Sequence, residues 1–500
     1  DCRRFNFRIY KVGGKIRLMQ EKKLLTKKSQ NVSQWYLDII DQAELADYGP
    51  AKGTMIIRPY GYAIWENIQK ALDREIKLSE AVNAYFPLFI PSSLFNKEKE
   101  HVEGFAHETA VVTIGGGEKL VDPLIVRPTS EMIMYEAYSR WISSWRDLPM
   151  VINQWNNVVR WEKRTYPFLR TSEFLWQEGH GAHVDKKENW ERVLWGIKTY
   201  EKIYRDFFAL EGLIGVKSES EKFAGADTTL ACEILVEGGK IIQAATSHDL
   251  GQNFSKTLGI EFQNKEGKSD YVWQNSWGLS TRSIGALILA HGDDNGLVIP
   301  PRLAPIKVVI IPILGKKDDK ILYYCQKIKK SLEESVSLFP GSIKIFDNTE
   351  KTFGWRMNDA EIRGIPLRIE IGPRELEEKT VMISFRIKGF EKKLAKFEGL
   401  FEKIEEMLGQ IQEKMLDDNS KFLAENTRKV KNYNEFKKIM KTTRGLIKAF
   451  WCEKSDCESK IKEETKATTR CKLLDAREES GKCIYCNSKA RFIWYFAQAY

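Results

Sequence analysis

The chain has little of what marks several protein classes. No apolar run approaches the ~18 residues that a bilayer-crossing helix needs. The most apolar stretch, 306–314, is broken by Lys307 and Pro312, so no membrane partner is expected. Eight cysteines in 500 residues are too few for a disulfide scaffold and point to a reducing compartment, the cytoplasm. Gly (34) and Pro (15) stand at ordinary levels, which excludes a collagen-like or low-complexity chain. The one glycine run, Gly115-Gly116-Gly117, is not followed by Lys-Ser or Lys-Thr. No helical pattern starts there, so it reads as a hairpin turn and not as a phosphate-cradling loop.

What is present suffices for several cores in series. The chain is 42% hydrophobic and 30% charged, with a net charge of +10 that is unevenly spread. Residues 1–28 carry 10 basic and 2 acidic groups, 29–304 carry 29 and 37, 305–400 carry 19 and 14, and 401–500 carry 21 and 16. An acidic block followed by basic ones suits a small-molecule enzyme domain joined to polyanion-binding domains, although ordinary surface variation gives similar totals. The first 18 residues show no sustained periodicity. Met19 reads as a start, which makes 1–18 a non-native extension or, alternatively, an Arg-rich leader.

Periodicity then orders the chain. A helical pattern from Pro59 carries Ile64, Trp65, Ile68, Leu72 and Ile76 on one side. A strand at 84–90 and a hairpin around the three glycines follow. Thr129 or Ser130 caps a helix running to about Trp145. Residues 150–184 read as a strand, a charged loop at 162–166 and a return strand. Asp185 caps a long amphipathic helix, and strands at 241–245 and 271–276 precede a helix at 282–290. Short strands interleaved with helices, without regular alternation, predict an α+β domain on an antiparallel sheet over 29–304. After Pro300-Pro301 the alternation becomes β-α, with strands at 308–311, 343–345 and 367–371 and helices at 318–331 and 355–363. That marks an α/β domain over 305–400. From Leu400 a charged helical stretch leads to a small Cys-rich domain, 401–500.

Three arginines carry the chemistry. Arg160 and Glu162 close one strand, Arg170 follows on the loop, and Arg282 opens a helix after Gly278-Leu279-Ser280-Thr281. Guanidinium forks converging on one sheet face match phosphate oxygens and neutralise charge that develops on phosphorus. The plainer reading of any one of them is a solvated or locally paired strand arginine. Near the end, Cys452-x4-Cys457 and Cys483-x2-Cys486 form two knuckles suited to a closed, structural tetrahedral zinc. The plainer reading there is four reduced cysteines, and Cys471 lies between the knuckles as a spare thiol.

The segment ending in Phe86-Pro87, the Arg-x-Glu…Arg hairpin and the Gly-Leu-Ser-Thr-Arg segment resemble motifs 1, 2 and 3 of class II aminoacyl-tRNA synthetases. Arg127-Pro128-Thr129-Ser130-Glu131, 157–162, 168–178, Gln243-to-His248 (QAATSH) and Gln274-to-Arg282 (QNSWGLSTR) are similar to the prolyl-tRNA synthetase family, and the likeness runs from about Ser33 to Tyr500. It implies a class II catalytic fold, an anticodon-binding domain and a zinc-binding C-terminal domain. It also implies ATP with Mg2+, L-proline and tRNA(Pro) as partners, and a homodimer. By it, Arg160 contacts the substrate carboxylate and the α-phosphate, Arg282 the γ-phosphate and Arg170 the far end of the triphosphate, while Phe174 stacks on adenine. Glu162, Thr171, Gln243, Thr246 and Ser280 hydrogen-bond adenine, ribose or a phosphate-bound magnesium ion. Thr129 and Glu131 suit a secondary ammonium, and Trp176, Glu178 and His248 complete the ring pocket. Reading base edges in an exposed RNA loop needs donors and acceptors on a rigid sheet, and Glu361, Arg363 and Glu370 are the candidates. Only 101 residues, 175–275, separate the second motif from the third, which leaves no room for the editing domain that the bacterial branch inserts there. Another class II synthetase, such as the threonine enzyme, or a catalytically silent RNA-binding relative are the alternatives.

Overall fold

The computed structural model describes residues 8–12, 15–19, 25–97, 109–314, 318–334 and 341–500. Of the expected basic segment 1–28, the strands Arg8–Val12 and Lys15–Met19 pair antiparallel where the sequence shows no periodicity. Residues 1–7, 13–14 and 20–24 lie outside the described residues.

An eleven-stranded sheet is the spine of the molecule. Its centre is antiparallel: Met150–Val159, Glu173–His183, Trp273–Ser280, Lys240–Gly251, Thr228–Val236 and Leu213–Val216 are neighbours in that order. Helices cover one face. Lys186–Asp206 is capped by Asp185, whose side chain accepts from the Glu188 N–H, and packs Val193, Ile197, Tyr200 and Tyr204 on the sheet. Tyr200 donates to Gln177 at 2.7 Å, and Ser247 to the Val193 carbonyl at 2.8 Å. Gly179 permits the fit, because a Cβ there would stand 2.1 Å from the Trp277 ring. The opposite face holds the cavity described below, with the helix Glu131–Trp141 at its side, where Tyr135 meets His180 at 3.2 Å.

The sheet does not stop at the catalytic unit. Leu213–Val216 pairs with Ala467–Leu473, which pairs with Phe492–Ala499 and then Leu446–Trp451. The end of Phe492–Ala499 also meets the start of Lys240–Gly251 in parallel, closing a ring of five strands. Inside that junction Arg470 forms a two-pronged ion pair with Glu233 at 2.8 Å, and Lys217 joins it at 3.3 Å. The Cys-rich end is therefore welded to the catalytic unit by backbone ladders and by a buried charge cluster that is costly to break.

Between them lies a five-stranded α/β sheet, Ile343–Ile345, Val308–Pro312, Leu367–Ile371, Thr380–Phe385 and Lys393–Lys396 in order. The first three strands are parallel and the last two antiparallel. The helix Leu400–Glu425 packs Ile404, Met407, Ile411 and Met415 into this core. Its Gln412 donates to the Asp206 carbonyl at 3.0 Å, and its Asn419 accepts from the Glu211 N–H at 2.8 Å, so the helix touches the catalytic unit as well.

Four local expectations change. The strand at 84–90 is two short pieces, Val82–Asn83 and Phe89–Pro91. Pro87 offers no N–H to a ladder, and the Phe86 N–H is taken by the Gln154 side chain. The helix after Ser130 ends at Trp141, because the Ser143 and Ser144 N–H groups bind the Asp147 carboxylate and start a separate turn. Ser130 stands at that helix's N-cap without capping it, its hydroxyl going to Glu178 instead. The strand Thr228–Val236 went unrecognised because eight of its nine residues are buried, so it lacks the alternation that announces a half-exposed strand. The glycine hairpin is as expected, with Gly116 and Gly117 both at positive φ between Ala110–Gly115 and Glu118–Val126.

Candidate active site

Register explains which side chains meet. Side chains alternate across a strand, so Phe174, Trp176, Glu178 and His180 leave the Glu173–His183 strand on the face opposite the helix Lys186–Asp206. Trp176 lies opposite Asn156 and Ser280, Glu178 opposite Gln154 and Gly278, and His180 opposite Ser276. Thr246 and His248 sit opposite Gly278 and Ser276 on the other side. The result is a cavity of about 260 Å³ lined by Thr129, Glu131, Arg160, Phe174, Trp176, Glu178, Gln243, Thr246, His248, Ser280 and Arg282. Eleven residues named from the sequence thus converge on one space. Glu162, Arg170 and Thr171 stand outside its wall: Arg170 pairs with Glu162 at 3.2 Å on the half-exposed loop, and Thr171 donates to the Glu173 carbonyl at 2.7 Å.

At one end the polar groups are buried and already paired. Glu178 accepts from Ser130 at 2.5 Å, Asn156 at 2.6 Å and Gln154 at 3.1 Å on one oxygen, and meets His180 at 3.1 Å on the other. Burial pushes its carboxyl up, but the hydrogen bonds from His180, Ser130 and Asn156 prevail and hold it below the usual range. For His180 burial pushes down, and the bond to Glu178 prevails to raise it. Thr129 donates to Glu131, both buried. His248 bonds Thr229 at 2.9 Å and lies 4.6 Å from the Phe223 ring. Burial, with His180 and Arg160 nearby, pushes it down to about 3, so it is a neutral ring.

At the other end the charges are cationic. Arg160 donates to the Pro128 carbonyl at 3.0 Å and lies 5.5 Å from both the Phe174 and Trp176 rings. Arg282 is partly buried, donating to the Leu169 and Gln243 carbonyls at 3.2 and 3.3 Å. Burial, then Arg160 and Arg170, lower its pKa. Two neighbouring cations acting on a third are the convergence expected of a polyphosphate site.

Sequence reasoning missed the partners of these groups. His180 continues the alternating series Phe174, Trp176, Glu178, and Gln154 and Asn156 alternate on the neighbouring strand, so their placement was readable once the hairpin register was known. Glu221, Phe223 and Thr229 also line the cavity, from a turn and a strand that carry no periodic signal.

The base-reading candidates lie on and beside the five-stranded sheet. Arg363 follows the helix Phe353–Ile362 and reaches Glu44 of the catalytic unit at 2.5 Å and Asp359 at 3.0 Å. Glu361, at the end of that helix, approaches Arg368 at 3.7 Å. Glu370 lies in the buried strand Leu367–Ile371, accepting from Ser384 at 3.0 Å and Lys392 at 2.9 Å.

The sulfurs of Cys452, Cys457, Cys483 and Cys486 all lie within 4.8 Å of one another, with Cys452 at 3.6 Å from Cys457 and 3.7 Å from Cys486. Four thiolates at ~2.3 Å from a tetrahedral zinc stand ~3.8 Å apart, so the set fits that ion. Hydrogen bonds from Ser488 lower the Cys486 thiol to about 6, whereas burial raises Cys452 and Cys457. Cys471 is buried elsewhere, against Leu235, Ile241 and Tyr495.

Family models agree with this division. The class II tRNA synthetase core domain (G, H, P, S and T) matches residues 117–291, the anticodon binding domain 307–407, and the C-terminal domain of prolyl-tRNA synthetase 433–500. The proline–tRNA ligase of Natranaerobius thermophilus is 48% identical over 482 residues, 96% of this chain and 98% of its own length. The chain belongs to the prolyl-tRNA synthetase family. The ligase of Chlorobium phaeobacteroides is likewise 48% identical, over 95% of this chain and 99% of its own. A crystal structure of the Cryptosporidium parvum prolyl-tRNA synthetase, complexed with halofuginone and AMPPNP, superposes with a TM-score of 0.91 at 39% identity, covering 96% of this chain and 100% of that one. The chain is thus a class II aminoacyl-tRNA ligase, a class that uses ATP with Mg2+. Among the described residues no helix is long and apolar enough to cross a membrane.

Proposed function

We propose that the chain attaches L-proline to tRNA(Pro) through a prolyl-adenylate formed in the cavity on the sheet face opposite the helix Lys186–Asp206. The observation that carries this reading is the polarity of one continuous space, with paired carboxylates at one end and converging arginines at the other. A proline ammonium has two N–H donors and one positive charge, which Glu131 and Thr129 satisfy, while Trp176, Glu178 and neutral His248 enclose the ring. Arg160, between the two ends, holds the proline carboxylate against the α-phosphate. Phe174 stacks on adenine, Gln243, Thr246 and Ser280 bond nucleotide oxygens, and Arg282 and Arg170 take the outer phosphates, with Glu162 and Thr171 beside them. Magnesium bound to the triphosphate supplies further charge neutralisation.

A proline carboxylate oxygen attacks the α-phosphorus in line, the α–β bridge breaks and pyrophosphate leaves. A ribose hydroxyl of the terminal adenosine of the tRNA then attacks the adenylate carbonyl and releases AMP. No side chain acts as nucleophile, so positioning and preorganised charge supply the acceleration. Proline-dependent ATP–pyrophosphate exchange tests the reading. Exchange with threonine and not proline, or with neither, sinks it.

The interval between the second and third motifs holds the helix Lys186–Asp206 and the strands Leu213–Val216, Thr228–Val236 and Lys240–Gly251, all built into the core sheet or its cover. That supports a chain without editing in cis. The four cysteines fit a structural zinc, Glu361, Arg363 and Glu370 stay assigned to the tRNA-facing half, and the active form is a cytoplasmic homodimer. Metal analysis of the purified chain and of Cys483→Ser tests the zinc: about one zinc per chain is expected, and none in the variant.

A further inference from the structure

The cavity wall is completed by a segment whose anchor belongs to the Cys-rich end. Glu221 and Phe223 line the cavity from the turn after Leu213–Val216. Phe223 donates its N–H to Thr229 at 2.9 Å, and the same Thr229 hydroxyl holds His248 at 2.9 Å, so this turn sets the side of the pocket assigned to the proline ring. The turn is gripped from across the junction. Ser218 donates to one carboxylate oxygen of Glu458 at 2.8 Å, Ser220 to the other at 2.6 Å, and Thr469 also donates to Glu458. Glu458 follows Cys457 in the helix Ser455–Thr465 and is 6% exposed.

A buried carboxylate held by three hydroxyls pays desolvation that an apolar contact would avoid, so packing alone does not account for it. Fixing the ends of a short turn with directional, charge-assisted bonds does. We infer that Glu458 is a positioning residue for the amino-acid half of the reaction: its carboxylate holds Ser218 and Ser220 so that Glu221 and Phe223 close the pocket around the substrate ring. Glu458 bonds Ser218, Ser220 and Thr469, whereas the nucleotide half is set by Arg160, Phe174, Gln243 and Arg282.

The inference rests on the assignment of that end to proline, and its test separates the two. In proline-dependent ATP–pyrophosphate exchange with the full chain, Glu458→Ala is expected to raise the KM for proline about tenfold or more and leave the KM for ATP unchanged, with Glu458→Gln in between. The Ser218→Ala/Ser220→Ala double variant, made on the other side of the junction, is expected to give the same split. Combining it with Glu458→Ala should add nothing, because the three residues act as one unit. If Glu458→Ala folds poorly, the serine variant decides alone. An unchanged proline KM, or proline and ATP KM values rising together, overturns the tether while the exchange activity of the unmodified chain stands. Absence of proline-dependent exchange in the unmodified chain overturns the proline assignment and the tether with it.

Discussion

The two ends of the cavity are built on opposite principles. At the end assigned to the amino acid, Glu178, Glu131 and His248 are buried and already paired: Glu178 with four partners, Glu131 with Thr129, His248 with Thr229. At the phosphate end the arginines face one another and lean on backbone carbonyls and ring faces, and Arg170 remains half-exposed with Glu162 as its visible partner. A small substrate of fixed shape is selected by a dry, preorganised pocket, where a mismatch leaves polar groups unpaired. A flexible polyanion is gathered by excess positive charge that needs the ligand to be satisfied.

Arg160 belongs to both ends, so its loss should break both. Arg160→Ala is expected to lower proline-dependent exchange by about 10²–10³-fold or more, and near-normal exchange would refute its place. Glu178→Gln keeps the shape and removes the charge that four donors answer. The KM for proline should rise about 10- to 100-fold with that for ATP held, and a rise in the ATP value instead would erase the division. A dry pocket still excludes a smaller ligand weakly, so alanine should be activated about 10–200-fold less well than proline and remain on the tRNA. Deacylation of Ala-tRNA by this chain alone would count against the missing editing function. Arg170→Ala, in water and on a mobile phosphate tail, should raise the KM for ATP only a few-fold, on the order of five. A loss equal to that of Arg160 would mean that the phosphate end is as tightly built as the other.

The smallest effect is on pH. The Glu178 carboxyl is lowered, so its contribution to stability is present above the usual carboxylate range and fades as pH falls through its depressed value. His180 is raised, so its contribution is complete below ~6.5 and fades as pH rises through its elevated value. The melting temperature should therefore peak between the two, and His180→Gln should flatten the alkaline limb. His248, lowered to about 3, steepens the acid limb, because below ~6.5 the unfolded ring takes up a proton that the buried ring refuses. An alkaline limb that persists in His180→Gln would remove the pair from the account.

Much of this was legible in the chain itself. Amphipathic spacing announced the helix Lys186–Asp206 down to its Asp185 cap, and β-α alternation announced the domain after Pro301. The strings around Arg160, Glu178, His248 and Arg282 hold residues that line one cavity. These are local signals: side-chain period, caps and short motifs depend on neighbours in sequence. Only the tertiary structure decided what depends on distant neighbours. Thr228–Val236 has both faces covered by other segments, Ser130 abandons its helix for Glu178, Arg363 pairs with Glu44 of a distant segment, and Glu458 reaches across 240 residues to Ser218. A hydroxyl, a guanidinium or a carboxylate satisfies its bonds with whatever the fold brings near, and sequence spacing holds no record of that choice.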